Sequence, residues 1–152
     1  MKIVTKTGNL LDITEGHIVH GCNAHGVMGS GVALAVKNLY PAAFEDYRQI
    51  HEDDGLVLGE AYPYMPTTTL VIWNAITQEG FGKPYRNCSY DAIQTCFEDI
   101  NHAATETDDL GITQEIHIPM IGAGLGGGNW EIIREIIEQT CTVPVTLWIL
   151  PT

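Results

Sequence analysis

Glycine is concentrated at two places in this chain where backbone alone could hold an anion. Gly26-Val27-Met28-Gly29-Ser30-Gly31 follows the β-branched run His17-Ile18-Val19-His20-Gly21-Cys22 and precedes Val32 to Leu39, whose apolar residues recur at helical spacing. Without a Cβ, the backbone N–H groups of such a loop can approach a phosphate closely, and the first turn of the helix leaves further N–H groups unpaired. One loop of this kind is either an anion cradle or a tight strand-to-helix turn. The second loop, Gly122-Ala123-Gly124-Leu125-Gly126-Gly127-Gly128, places five glycines in seven positions after another strand-like run, which exceeds what a turn requires. Two cradles point to a diphosphate. Gly122, Gly124 and Gly127 also satisfy GxGxxG, but a dinucleotide-binding fold needs an acidic residue after the next strand and further strand-helix units. Here one helix and Val145 to Leu150 are all that follow.

The charge balance sharpens this reading. Seven Lys and Arg stand against 19 Asp and Glu, a formal net charge of -12. That opposes any surface that neutralises duplex nucleic acid, and leaves a phosphorylated ligand to backbone N–H groups and helix N-termini. His17, His51, His102 and His117 are dispersed, with no HExxH or comparable cluster, so neither a metal nor another cofactor is expected. Cys22, Cys88, Cys96 and Cys141 lack CxxC spacing and read as buried free thiols. Cys22 adjoins Asn23 and is either a nucleophile or core packing; since no base is fixed beside it, packing is expected.

The elements that position these groups alternate along the chain. Lys2 to Lys6 reads as a half-exposed strand, His17 to Cys22 as a second, and Val32 to Leu39 as a helix ended by Pro41, which starts the next. That helix carries Ala43, Phe44, Tyr47 and Ile50 and breaks at Asp53-Asp54-Gly55; Gly59 to Tyr62 and Leu70 to Ala75 then pair as strands. Ser89 caps a helix to about Thr105 with Ile93, Cys96, Phe97 and Ile100 on its apolar face. Glu115 to Ile121 is a strand entering the second glycine loop, Trp130 to Cys141 a helix, and Val145 to Leu150 the last strand. The pattern predicts an α/β/α sandwich in one domain, residues 1–152. No apolar run approaches a membrane span and Met1 to Thr5 lacks signal-peptide features, so a cytoplasmic protein, unattached to membrane and monomeric, is expected.

From Val4-Thr5-Lys6-Thr7-Gly8-Asn9-Leu10 to Leu147-Trp148-Ile149-Leu150 the chain resembles the macrodomain family, most specifically in Gly21 to Ala33 and Ile118 to Trp130. It is most similar to the branch containing yeast- and phage-type ADP-ribose-1''-phosphate phosphatases and terminal ADP-ribose glycohydrolases, in a compact phage or bacterial form. The resemblance implies a three-layer α/β/α sandwich with a mixed central sheet, and ADP-ribose or ADP-ribose 1''-phosphate as ligand. It implies that Gly29, Ser30, Gly31 and Val32 follow the diphosphate and proximal ribose. Ile121, Gly122, Ala123, Gly124, Leu125, Gly126 and Gly127 then close the other side, and adenine lies near Gly8, Asn9 and Leu10. Many macrodomains place Asp where this chain has Asn9, which could accept the same bond or serve only the turn. The Lys and Asp that act in glycohydrolase relatives are Gln78 and Gly126 here, and no carboxylate follows the first glycine loop. His20, Asn23 and His25 remain as candidate catalytic residues, His20 matching a His of the phosphatase-like branch. A His acts as acid or base near neutral pH, and Asn23 could orient the ribose or the attacking water. His20 is equally readable as a buried strand histidine. Phe81 or Tyr85 could cover the distal ribose, and Lys83 and Arg86 could meet a terminal phosphate. The expected function is an ADP-ribose-binding ADP-ribose-1''-phosphate phosphatase, with a non-catalytic ADP-ribose-binding module and a de-ADP-ribosylating hydrolase as the alternatives.

Overall fold

The structure, a computed structural model, describes residues 2–82, 86–124 and 126–152. In chain order the elements are β1 (Val4–Thr7), β2 (Gly16–Asn23), α1 (Gly31–Leu39), α2 (Pro41–Asp53), β3 (Ala61–Tyr64), β4 (Leu70–Gln78), α3 (Tyr90–Glu106), β5 (Ile116–Ile118), α4 (Trp130–Thr140) and β6 (Val145–Ile149), with 3-10 turns at Leu10–Asp12 and Asp108–Leu110. The six strands form one sheet in the order β1-β6-β5-β2-β4-β3. All neighbours are parallel except β3, which runs antiparallel to β4 at one edge. The sheet is therefore mixed, as expected.

β2 and β4 lie at the centre, covered on both faces, which is why their sequences are almost continuously apolar rather than alternating. On one face, Ile18, Ile72 and Leu70 pack with Val36 of α1 and Ala43 of α2. On the other, Val19, Val71 and Trp73 pack with Phe97 and Ile100 of α3 and with Ile133 and Ile137 of α4. This is the three-layer sandwich. Ser89 caps α3 by accepting the Ala92 N–H, and Asn129 caps α4 by accepting that of Glu131.

Four of the boundaries that differ from the pattern in the sequence bear on the site or have a plain physical cause. β1 starts at Val4 rather than Lys2, and all four of its residues are exposed because it is an edge strand. β5 ends at Ile118 rather than Ile121, since Pro119 has no N–H to continue the ladder. β3 starts at Ala61 because Gly59, at φ +94°, turns the chain just before it. β4 continues past Ala75 to Gln78: Thr77 and Gln78 are polar, yet the strand still pairs there with the end of β2. The parallel register brings the C-terminal ends of β5, β2 and β4 side by side at one edge, where ligand crevices of open α/β sheets form.

Candidate functional site

β2 leads into the first glycine loop, β5 into the second, and β4 into residues 79–82; together they enclose a cavity of about 820 Å³. Gly29, Ser30, Gly31 and Val32 line one wall, and Ile121, Gly122, Ala123, Gly124 and Gly126 another, with Gly21, Cys22, Asn23, Gln78 and Phe81 between them. The structure thus brings the two loops, distant in sequence, to one cavity. Leu125 lies outside the described residues, as do Lys83 and Tyr85.

The first wall is the N-terminus of α1. Ser30 occupies the N-cap position, but its side chain makes no capping bond. Asn9, Ser89 and Asn129 each satisfy a backbone N–H of the turn they precede. Ser30 leaves the first-turn amides of α1 open toward the cavity, together with the positive end of the helix dipole. Gly31 sits at φ +60°, a conformation that side chains rarely adopt, and so presents its N–H without strain.

The second wall folds back on itself. Gly128 N–H donates to Gly122 O at 2.8 Å, and the Gly126 carbonyl accepts from Asn87 and Cys88 N–H at 2.7 and 3.0 Å. A Cβ at Gly126 would stand 2.6 Å from Gly122 O, so glycine is required by backbone packed on backbone. Gly127 belongs to this fold-back, donating to Gly124 O at 3.1 Å, but does not line the cavity.

The candidate catalytic residues separate. Asn23 lines the cavity, and its Oδ1 accepts His25 N–H at 2.9 Å while Nδ2 donates to Val27 O at 2.8 Å, so the side chain closes its own loop. His25 is exposed at the rim, edge-on to Phe81 with ring centroids 6.0 Å apart. His20 has no solvent exposure and does not line the cavity. It points instead into the layer beneath α2, where its Nε2 lies 2.6 Å from Asn74 Oδ1. Asn74 Nδ2 donates to the Ala43 carbonyl at 3.2 Å, which fixes the amide orientation and makes His20 Nε2 the protonated nitrogen. Burial lowers the His20 pKa to about 4, against the opposing effect of the Asn74 bond. An alternating strand turns residues 20 and 22 to the same face, but only Cys22, nearer the strand end, reaches the cavity.

Gly8, Asn9 and Leu10 do not line the cavity either. Gly8 N–H donates to Ile149 O and a Cβ there would stand 2.9 Å from Trp148 Cζ3, Asn9 Oδ1 accepts Leu11 N–H at 2.9 Å, and Leu10 is core. The physical reason is the strand order: β1 is at the sheet edge, with β6 between it and β5. Among the described lining residues, Cys22 carries the only titratable side chain, and burial pushes its thiol far above the ordinary range. The cavity is neutral and amide-rich. Sequence reasoning missed Asn74, for which a single Asn inside an otherwise apolar strand was the available signal.

Among the described residues, no cluster of three or more His, Cys, Asp or Glu could hold a metal ion, and no helix is long and apolar enough to cross a membrane.

A model of the macro domain matches residues 19–137, spanning both glycine loops, β4, β5 and the C-terminal part of β2. The chain belongs to the macro domain family. As a macro domain it is 43% identical, over an alignment of 159 positions, to an ADP-ribose 1''-phosphate phosphatase of Chaetomium globosum, with 91% of this chain and 83% of the relative covered. It is 35% identical over 126 residues to an uncharacterized 17.5 kDa protein of Enterobacteria phage T4, covering 80% and 77% of the two chains. A solved structure of a protein of unknown function from Bacteroides thetaiotaomicron superposes with a TM-score of 0.84 at 29% identity, covering 97% of this macro domain and 98% of that chain.

Proposed function

We propose that this macro domain binds ADP-ribose or ADP-ribose 1''-phosphate in the cavity, and hydrolyses the latter to ADP-ribose and inorganic phosphate. The observation that carries the binding reading is the uncapped α1 N-terminus at Ser30–Val32 facing the folded-back loop Gly122–Gly126 across one neutral cavity. Backbone N–H groups there meet a diphosphate that the acidic surface of the protein would otherwise repel. The similarity to the Chaetomium globosum phosphatase supports the hydrolytic half.

In this reading water attacks the terminal phosphorus and the 1''-oxygen leaves, taking a proton. The protein contributes mainly by positioning. Asn23 Nδ2 uses one of its two protons on Val27 O, leaving the other for the ligand. His25 at the rim supplies an acid or base, and Phe81 covers the sugar. His20 is left to hold the strand.

A second reading, a binding module without turnover, is favoured by the absence of any acid or base other than the protonated Cys22 thiol among the described lining residues. Titration calorimetry with ADP-ribose, followed by phosphate release from ADP-ribose 1''-phosphate, separates the two. Binding with release supports the phosphatase, binding without release the module, and no binding refutes both.

A further inference from the structure

The first glycine loop is held in shape from beneath by α2. Tyr47, fully buried, extends its hydroxyl to the carbonyl oxygen of Asn23 at 2.6 Å and lies 3.0 Å from Asn23 Oδ1. One turn further along α2, the His51 ring packs under Gly26, where a Cβ would stand 2.7 Å from His51 Cδ2. Gly26 adopts φ +76°, the bend that returns the chain toward Gly29. Asn23 in turn binds the N–H of His25 and the carbonyl of Val27, and Val27 lines the cavity against Gly29. From α2 to the cradle the chain of contacts is therefore continuous: Tyr47 to Asn23, Asn23 to Val27, Val27 to Gly29.

From this geometry we infer that Tyr47 is a positioning residue for the ligand: its hydroxyl sets the conformation of residues 23–27 before any ligand arrives. It never touches the cavity, since Asn23 stands between. Prearrangement matters here because a loop that must be ordered on binding subtracts that ordering from the affinity. Removing the hydroxyl leaves the Asn23 carbonyl without its partner and allows the loop other shapes, while the ring of a phenylalanine keeps the packing against Cys22, Met28 and Ile76. The role of Tyr47 in ligand affinity rests on the ADP-ribose reading; its role in loop order does not.

The test uses Tyr47→Phe and, as a control, Ile137→Val on the opposite face of the sheet. Tyr47→Phe raises the Kd for ADP-ribose about tenfold, which is about 1.4 kcal/mol, whereas the control leaves it unchanged even at an equal loss of Tm. An Asn23→Ala background removes the side-chain bonds from Asn23 to His25 and Val27 but keeps its carbonyl as the Tyr47 partner, so there Tyr47→Phe costs less than in the wild type but still something. By hydrogen exchange, the amides of His25 and Val27 are protected in the ligand-free wild-type protein and lose protection in Tyr47→Phe alone. If wild type binds and Tyr47→Phe binds equally well, the inference fails and the ADP-ribose reading stands. If wild type does not bind ADP-ribose, that reading fails, and the exchange experiment by itself decides whether Tyr47 orders the loop. Should Tyr47→Phe not fold, rapid exchange of the His25 and Val27 amides in the wild type is enough to overturn the inference.

Discussion

Gly29→Glu tests the anion cradle with little collateral damage to the fold. Gly29 is exposed, has no positive φ, and a Cβ added there would meet only Val27 Cγ1, at 3.5 Å, an ordinary contact. The longer side chain thus enters a position that tolerates it and brings a carboxylate to the wall where the diphosphate is proposed to lie. At about 5 Å and an effective dielectric of about 20 to 40, the nearer phosphate charge is repelled by about 1.5 to 3 kcal/mol. The expected outcome is a Kd for ADP-ribose raised about tenfold to a hundredfold. Gly29→Gln carries the same bulk without the charge and separates repulsion from obstruction. Titration calorimetry at low ionic strength, with a thermal melt on each variant, gives the answer. A folded Gly29→Glu protein that binds ADP-ribose as tightly as Gly29→Gln would refute the placement of the diphosphate.

Two further outcomes follow from the buried groups. His17 and His20 have no exposure, and burial lowers both pKa values to about 4 from 6.5, with His117 adding to the effect at His17. Between those values the unfolded chain binds protons that the folded chain does not, so stability rises with pH across this window and is lost as pH falls from 6.5 toward 4. The loss is on the order of 3 kcal/mol for each histidine, readable by urea denaturation at pH 7, 5.5 and 4.5; a flat profile would contradict their burial as neutral groups. Cys22→Ala is expected to keep ADP-ribose affinity and any phosphate release within about threefold, and the wild-type thiol to react with iodoacetamide more slowly than free cysteine, because it is held protonated. Abolished turnover in a folded Cys22→Ala protein would restore the thiol as a nucleophile.

Much of the fold was legible because local physics writes it into neighbouring residues. Ile93, Cys96, Phe97 and Ile100 announce a helix by their spacing, Ser89 announces its start, and the unbroken apolar run Leu70 to Ala75 announces a strand covered on both faces. The glycine loops were legible for the same reason: Gly31 and Gly126 meet needs of backbone conformation and close approach that other residues meet poorly. What the sequence left open about individual side chains, a long-range relation decided. His20 looks like an acid or base in the linear sequence, but its pairing with Asn74, fifty-four residues away, draws it into the layer beneath α2. Asn9 reads as a ligand residue from its sequence neighbours, and the structure adds that β1 lies at the sheet edge and that the Asn9 side-chain oxygen accepts the Leu11 N–H.

By itself the sequence determined the elements, the two glycine loops and the acidity of the chain. Those depend on composition and on contacts within a few residues. The tertiary structure alone decided which side chains face the cavity and which lie behind it, because that depends on strand order and register and on the layer each side of the sheet is packed against. Tyr47 is the clearest case. Its sequence pattern is that of a core aromatic on a helix face, and only the placement of α2 under residues 23–27 turns its hydroxyl into the anchor of the first loop.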